Sequence, residues 1–192
     1  LLIEIDRQKL ILRARSFSAD GFSAFFEYLH GSPLHREGHK WVDNMFKALA
    51  GLKKLLQECF RGSGKSTVLT KLFTAFYIGH HPQTTNAIIR VNKEKANEST
   101  LAVADIIAGD SKFKDVFPHI IPVEGKWGEE KGYTVKRTDV SENEWADICR
   151  KSSRPTGATL IGYGYDSGSI QGFRANGLLI VDDIHVKENT RS

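Results

Sequence analysis

Two hydrophobic patterns alternate along this chain: apolar residues spaced three and four apart, and short continuous apolar runs. Residues 7–13 and 19–30 show the first pattern, with Phe22, Phe25, Phe26 and Leu29 on one helical stripe. Gly31-Ser32-Pro33 breaks it. Residues 35–49 resume it with Trp41, Val42, Met45, Phe46 and Leu49, and Gly51 is a stop. Residues 53–60 read as a short buried strand carrying Leu55, Leu56, Cys59 and Phe60. Residues 64–78 read as a helix, 86–91 as a strand and 94–108 as a helix. Residues 113–132 contain Pro118, Pro122 and several glycines and read as irregular. Residues 133–137 and 158–162 read as strands, and residues 178–181 form an apolar run that ends in Asp182-Asp183.

This alternation predicts an α/β fold, a mostly parallel sheet with helices on both faces and right-handed crossovers. Residues 1–34 form a helical preface, and residues 35–192 form the main domain. Composition changes this picture little. Of 192 residues, 40% are hydrophobic and 26% charged, which suits a globular domain. No run of about 18 apolar residues exists to span a membrane. Acids and a base interrupt the first seven residues, so a signal peptide and secretion are not expected. Two cysteines, Cys59 and Cys149, make no disulfide framework and fit a reducing cytoplasm. The net charge of +4 permits a polyanionic partner without requiring one.

The chemistry concentrates at two places. The first is Arg61-Gly62-Ser63-Gly64-Lys65-Ser66-Thr67. Its end fits the phosphate-loop pattern G-x-x-x-x-G-K-[ST], although Cys59 stands where the first glycine belongs. Glycines let backbone N–H groups approach phosphate oxygens, and the following helix N-terminus favours an anion. Lys65 would reach the β- and γ-phosphates of ATP, and the Ser66 hydroxyl would ligate Mg²⁺. The second is the strand end, where Asp182 would hold the Mg²⁺ shell and Asp183 would orient or deprotonate the attacking water. Glu188 is the alternative carboxylate. A buried strand running into a solvated turn would account for the same two acids.

Other signals are weaker. His35 and His39, four apart on a helix, could form half a metal site, but no third ligand is evident. His80-His81 ends a helix, where it could cap carbonyls. The basic stretch from Lys151 to Pro155 reads as an exposed linker that could touch DNA phosphates.

Taken in order, these pieces resemble the ATPase domain of viral terminase large subunits, over about residues 33–189. Pro33-Leu34-His35-Arg36 resembles a segment that packs near the adenine. The loop from Arg61 to Thr67 resembles the family's deviant phosphate loop. Trp127-Gly128-Glu129 resembles its mid-domain tryptophan segment, and residues 169–177 resemble the glycine–arginine segment ahead of the acidic strand. The resemblance implies a P-loop NTPase of RecA-like fold that hydrolyses ATP with Mg²⁺ to drive double-stranded DNA into a procapsid. It implies a homo-oligomeric ring, a portal protein and a small terminase subunit as partners, and the host cytoplasm as location. It places Arg61 near the γ-phosphate and Arg174 where an arginine reaches a neighbouring subunit's site. An ion-paired residue at a sheet edge is an equally good reading of Arg174. The family also carries a further strand beside the phosphate-loop strand and a nuclease domain. Neither has room after Asp183, so the chain is expected to be a piece of a longer protein. A helicase-like ATPase and a non-catalytic nucleotide-binding module remain as alternatives.

Overall fold

The computed structural model describes residues 2–51, 54–60, 62–152, 157–170 and 173–184. They form two compact units: Leu1–His80 with Ser111–Pro118, and His81–Asp110 with His119–Ser192.

The first unit is helical throughout its described elements. It contains α1 (Leu2–Ala14), α2 (Ala19–His30), α3 (Arg36–Ala50), a π-helical segment (Ser66–Phe73) running into α4 (Thr74–His80), and α6 (Ser111–Val116). Its core is aromatic, as the phenylalanine stripe on α2 foretells. Phe22, Phe25, Phe73, Phe76 and Phe113 are fully buried. The Phe22–Phe73 and Phe25–Phe76 ring centroids lie 5.3 Å apart, within the range of favourable edge and offset pairing. His80 packs into this cluster against Phe76 and Phe117, and its Nε2 lies 3.3 Å from the Ala14 carbonyl. The α2 N-cap is Ser18, whose hydroxyl accepts from the Gly21 N–H at 3.0 Å. Ser18→Ala orphans that donor and is expected to cost about 1 kcal/mol, read as a lower urea midpoint at unchanged slope.

The strand expected over residues 53–60 is not found. Residues 54–60 carry no regular structure, and Leu56 and Phe60 are 85% and 72% exposed. The physical reason is local. Gln57-Glu58 interrupts the apolar run, and the described elements of this unit offer no strand to satisfy its backbone.

The second unit is α/β. Its five strands are β1 (Asn86–Arg90), β2 (Ile120–Gly128), β3 (Gly132–Arg137), β4 (Leu160–Gly164) and β5 (Leu179–Val181). They pair in the order β2-β3-β4-β1-β5. β1 runs parallel to β4 and β5, while β3 is antiparallel to both β2 and β4. The sheet is therefore mixed. Its antiparallel part comes from the segment read as irregular: β2 and β3 are sequential and share a tight turn, which forces antiparallel pairing. Pro122 and the glycines disguised β2. As an edge strand it tolerates proline, and a bulge lies between Pro122 and Trp127. Trp127 stacks edge-on against Tyr133 across this hairpin, at 5.2 Å.

Helix α5 (Lys93–Gly109) packs on this sheet so closely that a Cβ on Gly162 would lie 3.0 Å from the Ala96 backbone. Helix α7 (Glu142–Lys151) is absent from the periodicity reading. Its signal was the capping box Ser141-x-x-Glu144, present in full in the structure. The buried Asn86 side chain locks β1 to its neighbours: its Nδ2 donates to the Thr159 carbonyl and its Oδ1 accepts from the Leu178 N–H at 2.7 Å.

Candidate functional site

In the first unit, the residues expected to form the phosphate loop come directly before the π-helical segment. Gly62 and Gly64 are left-handed, with φ of 82° and 81°, where a β-carbon would be strained. A turn closes through the Ser63 N–H to the Phe60 carbonyl at 3.2 Å, and the helix begins with the Val68 N–H to the Gly64 carbonyl at 3.0 Å. Lys65 and Ser66 stand half-buried at the helix start, and Thr67 is exposed. A π-helical turn is rare and is found often at functional sites.

The structure also brings His35 to this loop. The imidazole N-caps α3: its Nδ1 accepts from the Gly38 N–H at 2.9 Å, which places the proton of the neutral ring on Nε2. That Nε2 lies 4.0 Å from where a Cβ on Gly64 would sit. Cap and ring also explain the His35/His39 spacing, since His39 Nδ1 lies 3.2 Å from the Ser23 hydroxyl. Among the described residues, no group of three or more His, Cys, Asp and Glu could hold a metal ion.

In the second unit, Asp182 and Asp183 follow β5. The strand is less buried than its apolar sequence suggests: β5 lies at one end of the sheet formed by the described strands, and Leu179 and Val181 are 55% and 52% exposed. Asp182 is 4% exposed. Its Oδ2 accepts from Arg90 Nη1 at 2.8 Å, and the same Nη1 lies 3.3 Å from the Ser99 hydroxyl. Asp183 is exposed, with its Oδ2 3.8 Å from Arg90 Nη2. Its φ of 53° makes it the one non-glycine with positive φ among the described residues. Arg90 is the residue that sequence reasoning missed. The signal was present: Ala87-Ile88-Ile89-Arg90 is an apolar strand whose last position is a cation.

Arg174 is exposed in the segment leading to β5, and the neighbouring Phe173 anchors that segment on Tyr163 at 5.0 Å. Arg61 and Glu188 lie outside the described residues. The loop residues and the paired acids thus fall in different compact units. No described helix is long and apolar enough to cross a membrane. The chain matches no known family, no curated protein and no solved structure.

Proposed function

We propose that this chain is an ATP-hydrolysing P-loop motor domain of the viral terminase large-subunit kind. The observation that carries the reading is the pair of left-handed glycines, Gly62 and Gly64, set directly ahead of Lys65, Ser66 and a helix. Glycines without a β-carbon leave the backbone open to phosphate oxygens, and a helix start favours an anion. Parallel β1, β4 and β5 are in keeping with the RecA-like sheet, and acids after β5 stand where open α/β sheets place their ligand sites.

Mg²⁺ bound with ATP would neutralise charge on the β- and γ-phosphates. Ser66 in the first unit and Asp182 in the second are each a hard oxygen donor of the kind this ion prefers. With one oxygen bonded to Arg90, Asp182 suits a hold through water better than direct ligation. Lys65 binds phosphate charge, Asp183 orients water or accepts its proton, and Arg61 and Arg174 supply positive charge. Double-stranded DNA, a portal protein, a small terminase subunit and a ring of identical subunits are the partners this reading carries. The second reading, a module that binds nucleotide without turnover, is favoured by one observation: Asp182 already serves the fold as Arg90's partner.

Calorimetry with Mg-ATP tests the proposal. The parent is expected to bind, and Lys65→Ala to lose about 3 kcal/mol, or more than 100-fold in affinity, at an unchanged thermal midpoint. Equal affinity in both proteins would refute the loop assignment. ADP and GTP titrations alongside report the base and γ-phosphate preference.

A further inference from the structure

We infer that Arg90, held in place by its ion pair with Asp182, is a positioning residue that aims Asp183 for ATP turnover, an inference that rests on the ATPase reading above. β1 and β5 are parallel with Ile89 opposite Val181, and the Asp182 N–H donates to the Ile89 carbonyl at 3.0 Å. Arg90 and Asp182 therefore leave the sheet side by side at the same end. The guanidinium is seated from a third element, through the Ser99 hydroxyl of α5.

A stable fold asks only for the first pairing. A buried carboxylate needs a cation, and Asp182 has one. Nothing in that requirement involves Asp183. Successive residues of an extended strand point to opposite faces, so two adjacent acids would normally diverge. The left-handed backbone at Asp183 turns the second carboxylate back toward the same guanidinium. Aspartate enters this region more readily than most residues, but still against its preference. An exposed acid held in an unfavourable backbone state beside a half-buried cation gains little stability from the contact. Such strain collects at sites where a side chain must be aimed. The planar fork suits the task, since separate nitrogens face the separate carboxylates. A lysine ammonium offers one point charge and no fork.

The test uses Arg90→Lys, Ser99→Ala, Asp183→Asn and the Arg90→Lys/Asp183→Asn pair, with circular dichroism and thermal midpoint to confirm folding. Arg90→Lys is expected to bind Mg-ATP within about threefold of the parent by calorimetry, because the phosphate loop is untouched. Its KM should stay level while kcat falls about 10–100-fold, the scale of a misplaced catalytic group. Ser99→Ala keeps every charge and removes the hydroxyl that accepts from the guanidinium, along with its bond to the Lys95 carbonyl within α5, so kcat should fall severalfold at constant KM. The double variant should be no slower than Asp183→Asn alone, since Arg90 acts through that acid. A folded Arg90→Lys or Ser99→Ala with parental kcat, or losses that multiply in the double variant, would overturn the inference and leave the ATPase reading standing. A parent that shows no turnover at all sinks the ATPase reading, and the inference with it.

Discussion

Replacing Arg90 by alanine is expected to cost about 3–5 kcal/mol of stability, because it strands a buried carboxylate. Asp182 and Arg90 have side chains only 4% and 15% exposed. The carboxylate's attraction to the guanidinium therefore acts with little screening, and its desolvation is nearly complete. Removing the cation leaves the desolvation penalty with nothing to offset it. The arm to Asp183 adds little to this sum, since Asp183 is 74% exposed and the separation is 3.8 Å. The same logic fixes the control. Removing both partners, in Arg90→Ala/Asp182→Ala, should recover much of the loss, because an absent carboxylate needs no partner. Urea unfolding of the two variants measures the difference. A single-variant loss below about 1 kcal/mol would mean that water or another cation reaches Asp182.

That ion pair marks the limit of what the sequence made legible. Local signals were read well where side-chain spacing carries the information. The stripe Phe22, Phe25, Phe26 and Leu29 is α2, and Ala87-Ile88-Ile89 is a buried strand. Gly62 and Gly64 were read as loop glycines, and the structure gives both positive φ. Signals that depend on partners were read badly. Residues 54–60 contain strand-like apolar residues, but a strand exists only where another strand receives its backbone. Conversely, β2 forms despite Pro122, because β3 is adjacent and the edge position forgives a missing N–H. The mixed sheet follows from that hairpin, which alternation of helix and strand signals could not reveal. Arg90 belongs to the same class. Its role depends on a residue 92 positions away along the chain, brought into register only by strand pairing.

Asp183→Asn is expected to slow ATP turnover by about 10²–10⁴-fold, the usual contribution of a positioned general base, while leaving the fold intact. Asparagine conserves the shape of the side chain and tolerates the left-handed backbone as aspartate does, so the turn after Asp182 is retained. The lost contact with Arg90 is long and solvated, so the stability change should stay within about 0.5 kcal/mol. This combination, a large kinetic effect at constant stability and constant Mg-ATP affinity, is what separates a motor from a module that merely holds nucleotide. Asp182→Asn cannot make that distinction, because it disturbs a buried pair and lowers stability along with any chemistry. If Asp183→Asn turns over like the parent, the water-activating acid lies elsewhere. Glu188 is then the carboxylate to test, and Glu188→Gln should show the loss that Asp183→Asn did not. If neither substitution matters while Lys65→Ala still abolishes binding, the loop is a nucleotide site without hydrolytic machinery. Arg90 and Asp182 would then be what their burial alone requires, a cation and an anion that hold the end of β5 against β1.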